Sequence, residues 1–103
     1  MKKFNLKNKF CLITGAGGLL GYEHAYALLE IGANLILTDI DLIKVKKTQK
    51  KLKENFPDQE IIYTKLDVTN EKSVQKCLKY FKKKNIFISI LINNASFNPP
   101  PNK

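Results

Sequence analysis

Phe10-Cys11-Leu12-Ile13-Thr14-Gly15-Ala16-Gly17-Gly18-Leu19-Leu20-Gly21 is the stretch from which the rest of the chain can be read. Its first five residues form a continuous apolar run, the pattern of a strand buried on both faces. A glycine-rich turn follows. From about Leu19 to Ile31 the spacing becomes helical, with Glu23 and Glu30 seven apart on one solvated face. Gly32 stands where a helix C-terminus favours a residue free to adopt positive φ. A buried strand, a glycine turn and a helix in that order open an α/β unit.

Working outward, the alternation continues. Leu35-Ile36-Leu37-Thr38 is a second buried-type strand ending at Asp39. From Asp41 the helical period puts Val45, Gln49, Leu52 and Phe56 on one stripe, with lysines opposite, until Pro57-Asp58 breaks it. Ile61 to Leu66 reads as a third strand, closed by Asp67. Asn70 is a good N-cap for a third helix whose inward stripe is Val74, Cys77, Leu78 and Phe81. Phe87 to Ile92 is a fourth strand, the most apolar of all, and runs into Asn93-Asn94-Ala95. The tail, residues 97–103 with Pro99, Pro100 and Pro101, continues no regular element. Helices between strands carry the chain back across the sheet, which forces parallel pairing. With right-handed crossovers, the prediction is a three-layer α/β sandwich on a parallel sheet of about four strands in the order 3-2-1-4. Residues 1–103 read as a single domain without linker or repeat.

Composition narrows the function. At 103 residues with 44 % apolar and 26 % charged residues, the chain can bury a core and disorder is not its default. No apolar run is long enough to span a bilayer, and Met1 to Lys9 does not read as a secretion signal. Cys11 and Cys77 lie far apart and fit neither a metal spacing nor a disulfide framework, so a cytoplasmic setting is expected. The net charge of +9 raises a nucleic-acid hypothesis, yet every one of the 18 basic residues is lysine. Lysine is a point charge without the planar fork of arginine, and these lysines cluster where helices face water. A solvated surface is the simpler reading, and no nucleic-acid or membrane partner is expected.

The chemistry gathers at the strand ends. Glycines between a buried strand and a helix let the backbone turn sharply and approach a pyrophosphate without Cβ interference. The helix start adds unpaired N–H groups and partial positive charge. In the first βαβ unit this reads as a dinucleotide fingerprint rather than a plain turn. Asp39 follows Gly15 by 24 residues, close to the spacing of an acidic ribose ligand. A carboxylate there repels a 2′-phosphate, and no arginine is present to receive one, so NAD is favoured over NADP. Asp41 is the better placed of the two acids to cap the next helix, which frees Asp39. Asp67 reads equally as an adenine ligand, together with the Val68 N–H, or as a helix-start residue. Asn93 and Asn94 end an apolar strand and need partners, which the crevice beside the first strand offers.

Thr14-Gly15-x-x-Gly18-x-x-Gly21, Asp39, Asp67-Val68 and Asn93-Asn94-Ala95, taken together, resemble the N-terminal part of the short-chain dehydrogenases/reductases over about Lys7 to Ser96. The resemblance implies a hydride-transferring oxidoreductase acting on a hydroxyl or carbonyl group. It also implies a cofactor set of Gly15, Gly17, Gly18, Leu19, Leu20 and Gly21 at the pyrophosphate, and Asp39 with Ile40 at the ribose. Asp67 and Val68 would hold the adenine, and Asn93, Asn94 and Ala95 the far ribose side. Leu19 stands where the single-domain branch has glycine, and the 15-18-21 spacing is that of the sugar-nucleotide-modifying branch. The mixture is similar to members that modify surface sugars or flagellin glycans. The family's catalytic serine and Tyr-x-x-x-Lys lie beyond its fourth strand, so no catalytic residue is expected in this chain. Tyr80-x-x-x-Lys84 has the spacing but not the place. The expectation is a dinucleotide-binding portion, inactive alone, whose small-molecule substrate belongs to a full-length form. Homo-oligomerisation is allowed, and a non-catalytic dinucleotide-binding module is the alternative. Ile88, Ile90 and Ile92 are expected on an exposed sheet edge.

Overall fold

Four parallel strands and three helices make up the described residues, 9–94, of the computed structural model. In chain order they are β1 (Lys9–Thr14), α1 (Leu19–Glu30), β2 (Asn34–Asp39), α2 (Leu42–Asn55), β3 (Ile61–Lys65), α3 (Glu71–Lys83) and β4 (Phe87–Asn93). The sheet order is β3-β2-β1-β4, as the alternation predicted. Ala95 and the proline-containing tail, 97–103, lie outside the described residues.

The layers follow from handedness. Stepping from β1 to β2 to β3 moves in one direction across the sheet, so right-handed crossovers place α1 and α2 on one face. The step from β3 to β4 reverses direction and puts α3 on the other. Alternate side chains of each strand feed the two cores. Cys11, Ile13, Leu35 and Leu37 meet Ala25, Leu29, Val45 and Leu52 under α1 and α2. Phe10, Leu12 and Ile36 meet Phe81, with Cys77 and Ile88 beside them, under α3. The reversal leaves a crevice at the C-terminal ends of β1 and β4, where ligands of open α/β sheets sit.

Helix ends obey local chemistry. Asp41 caps α2, accepting from the Lys44 N–H, and Asn70 caps α3, accepting from the Ser73 N–H. Gly32 (φ 95°) follows α1, and Asn85 (φ 59°) follows α3, each in the left-handed conformation that closes a helix.

Three packing expectations are corrected. Leu78 is 45 % exposed, because it points to the β4 side of α3, where no further element among the described residues covers it. On α2 the buried positions are Val45, Thr48 and Leu52, while Gln49 and Phe56 are half-buried. Thr48 can go inside because its hydroxyl donates to the Lys44 carbonyl one turn back. In β4 the pairing slips, with Phe10 level with Ile88 but Cys11 level with Ile90. Ser89 is the extra residue. Ile88 therefore joins the α3-side core, and Ile92 joins the opposite one.

Candidate functional site

The glycine turn is built from contacts that leave no room for side chains at two positions. Gly15 takes φ 63°, and its carbonyl accepts from the Gly18 N–H. A Cβ at Gly21 would lie 2.6 Å from the Gly15 oxygen, so the first turn of α1 sits directly on the loop. At Gly17 a Cβ would lie 2.8 Å from the Lys44 Cβ and 2.9 Å from Asp39 Oδ2, which lets α2 and the end of β2 close over the loop. Gly18 has more space, its nearest contact being 3.6 Å away. Leu19 points outward, 81 % exposed, and Leu20 beside it is 61 % exposed.

Behind this loop α1 begins open. Gly18 is its N-cap, no side chain caps it and its first turn holds no acid. The early N–H groups of a helix have no intrahelical partner, and with the helix dipole they favour an anion. Its neighbours α2 and α3 are closed by Asp41 and Asn70.

Asp39 reaches the loop from the next strand. Its Oδ2 accepts from the Gly17 N–H at 2.8 Å and its Oδ1 from the Asp41 N–H at 2.9 Å. Asp41 does cap α2, as expected, but Asp39 is not thereby free; it holds the turn in place. Ile40 follows, 61 % exposed. The loop is also tied to β2 by the Ala16 N–H donating to the Thr38 carbonyl. The Thr38 hydroxyl donates to Ile13 O.

Thr14 and Asn93–Asn94 knit the crevice. The Thr14 hydroxyl donates to Asn93 Oδ1 at 2.8 Å and accepts from the Asn94 N–H at 3.1 Å. Thr14 is thus a hub joining the ends of β1 and β4, a role not singled out from the sequence. Its signal was a hydroxyl closing an otherwise apolar strand. Asn94 Nδ2 is a buried donor without a partner among the described residues, at the point where the sheet order reverses. Ala95 lies outside them.

Asp67 and Val68 stand at the end of β3. Asp67 Oδ1 accepts from the Thr69 hydroxyl and from the Thr69 N–H, forming the turn into α3. The hydroxyl bond first, then the backbone bond, lowers the Asp67 pKa below its ordinary 3.8. The helix-start reading of Asp67 therefore holds for this oxygen. Val68 is 37 % exposed at the mouth of the crevice.

Other reactive groups lie elsewhere. Lys84 Nζ stands 5.6 Å from the centre of the Tyr80 ring, but this pair ends α3. Because α3 runs back from the C-terminal ends of the strands, the pair sits at the opposite edge of the sheet from the glycine turn. Burial raises the Cys11 and Cys77 thiols above their ordinary 9.0, so neither is a ready nucleophile. No helix of the described residues is long and apolar enough to cross a membrane.

A family model described as short chain dehydrogenase matches residues 9–103. A short chain dehydrogenase/reductase of Gibberella zeae is 36 % identical over 92 residues, covering 89 % of this chain and 33 % of that one. The crystal structure of an NAD⁺-bound xylitol dehydrogenase superposes with a TM-score of 0.81 at 33 % identity, covering 93 % of this chain and 35 % of the other. A metagenomic short-chain oxidoreductase in complex with NADP shares the fold at 20 % identity, with a TM-score of 0.78 over 87 % of this chain and 40 % of that one. The chain spans about a third of the length of the curated relatives it matches. With the glycine turn, the acid beside it and the threonine–asparagine crevice already in place, that match makes this chain a member of the short-chain dehydrogenase family.

Proposed function

We propose that this chain supplies the nicotinamide-dinucleotide-binding part of an oxidoreductase acting on a hydroxyl or carbonyl group, with NAD favoured over NADP. The observation that carries the reading is the uncapped, acid-free start of α1, directly behind a glycine turn that Asp39 braces. The residues present fit such a group: an open helix start for the pyrophosphate, and an orphaned buried donor, Asn94 Nδ2, at the switch point.

In this reading backbone from Gly15 to Gly21, with Gly17, Gly18, Leu19 and Leu20 between, holds the pyrophosphate. Asp39, with Ile40 beside it, takes the adenosine ribose. A carboxylate has about four acceptor sites, so Asp39 keeps capacity for ribose hydroxyls after serving Gly17 and Asp41. A 2′-phosphate would meet the same negative charge. Asp67 and Val68 face the adenine, and Asn93, Asn94 and Ala95 the other ribose. The bound cofactor would supply the hydride acceptor or donor. No proton-transfer role is assigned to any residue of this chain, and its small-molecule substrate remains a class. The relatives named above carry no sign of surface-sugar or flagellin-glycan work in their names. Two thiols without a disulfide suit a reducing, cytoplasmic setting.

The test is titration of the 103-residue chain with NADH and with NADPH, followed by nicotinamide fluorescence. Asp39→Ala and Asp39→Asn should weaken NADH by about tenfold or more, the worth of a charge-assisted hydrogen bond, and narrow the preference over NADPH. Circular dichroism checks that each variant is folded. A folded wild type that binds neither dinucleotide, or a preference untouched by both variants, removes the reading.

A further inference from the structure

Two grooves flank α3, and their linings differ in kind. On the β4 side, Leu12, Leu66, Val74, Leu78 and Leu91 surround about 200 Å³, apolar in the manner of a packing surface. On the β3 side, about 570 Å³ is bounded by Ile62, Thr64 and Lys65 of the strand and Ser73, Lys76 and Tyr80 of the helix. Hydroxyls and the Lys76 ammonium stand beside the apolar Ile62, Cys77 and Phe81, and none of its lining residues is acidic.

The groove runs along a sheet edge. β3 is the outermost strand, paired only with β2 among the described residues. Leu35 N–H donates to Glu60 O, and Leu66 N–H donates to Asp39 O, so even-numbered residues turn their backbone toward β2. In a parallel ladder bonding alternates along the strand. Ile61, Tyr63 and Lys65 therefore turn their N–H and C=O groups to the outer edge, where the Ile61 carbonyl already accepts from Gln49 Nε2 at 2.9 Å and Tyr63 and Lys65 carry the open stretch. Lys76 is exposed on the helix wall and Lys84 Nζ lies over the Tyr80 ring, while Lys65, in step with Ile61 and Tyr63 of the α1/α2 core, is exposed on the opposite face of the strand.

We propose that this edge binds an extended acidic peptide, which adds as a fifth strand beside β3 and places carboxylates against Lys76 on one face of the sheet and Lys65 on the other. Backbone pairing to an exposed edge gives such a mode its affinity, and the groove beside it gives the side-chain preference. Charge decides the occupant. A second copy of this chain, also at +9, would be repelled, whereas an acidic segment is attracted and steered. The inference does not rest on the dinucleotide reading, since it uses the outer edge of β3 and not the glycine turn after β1.

The probe is a fluorescent octapeptide of repeated Val-Val-Glu-Glu, which presents a glutamate to each face of the sheet, titrated into the 103-residue chain by anisotropy. Binding should saturate, shift the amide resonances of Ile61 to Lys65, and weaken at least about tenfold, near 1.4 kcal/mol, under either of two changes. One is N-methylation of alternate peptide amides on one edge; the other is the Lys65→Glu/Lys76→Glu double variant, at two exposed positions. Absence of saturable binding overturns the proposal. So does equal affinity for the N-methylated peptide, which would reduce the effect to attraction by lysines. An unchanged double variant, or tighter binding of an oligouridylate than of the peptide, overturns it as well.

Discussion

β2 and β4 are composed of nearly the same residues and live in opposite surroundings. Asn34-Leu35-Ile36-Leu37-Thr38-Asp39 has a strand on each side and helices on both faces, and its four central residues are buried. Phe87-Ile88-Ser89-Ile90-Leu91-Ile92-Asn93 has one partner among the described residues, β1, and none of its own residues is fully buried. Phe87 is 76 % exposed and Leu91 65 %. The difference teaches that apolar sequence announces a demand for burial, while position in the sheet decides whether the described residues meet it. β1 is the boundary between the two regimes, sealed by β2 on one side and lined by the thinly covered β4 on the other.

The largest effect expected follows directly. Leu37→Ala should cost about 2–5 kcal/mol, the usual range for a buried leucine. Leu91→Ala should stay within about 0.5 kcal/mol, as exposed substitutions do. Urea unfolding of both variants measures the contrast, and equal losses would mean that β4 is covered in solution. A smaller change in stability, but a clear one in behaviour, is expected of Phe87→Lys. It should leave the urea midpoint nearly unmoved yet reduce concentration-dependent light scattering, because lysine on an open edge discourages strand pairing. Unaltered scattering would place any self-association elsewhere.

The smallest effect is at the end of β3. Hydrogen bonds from Thr69 hold the Asp67 pKa below 3.8. A carboxyl depressed in the folded state adds stability above its unfolded pKa, and that contribution is lost as pH falls through the folded value. Thr69→Ala should therefore raise the Asp67 pKa toward 3.8 in a carboxyl NMR titration and remove part of a contribution that is present at neutral pH, so that stability falls less steeply as pH drops through the acid range. A pKa that does not move would assign the depression to the Thr69 N–H, which alanine keeps, and to Lys65.

Legibility in the sequence follows the range of the interaction. The glycine turn, the caps at Asp41 and Asn70 and the strands around Leu12 and Ile36 could be read because each is set by neighbours a few residues away. Leu78 was misplaced because its exposure depends on what covers α3 from the side. The bulge at Ser89 has no local signature, since an all-apolar strand reads alike in either register. That Asp39 also holds the turn is not legible in the sequence, because nothing nearby shows that Gly17 donates to it across 22 positions.

What the chain's order of residues determined was the parallel sheet and the place of its crevice. Hydrophobic period, turn chemistry and the handedness of crossovers are short-range constraints that leave few topologies open. What only the tertiary structure decided was how the parts of the site hold one another. Thr14 bridges to Asn93 and Asn94, and Asp39 clamps the glycine loop. Those bonds join segments distant in sequence, and they exist only once the strands are packed side by side.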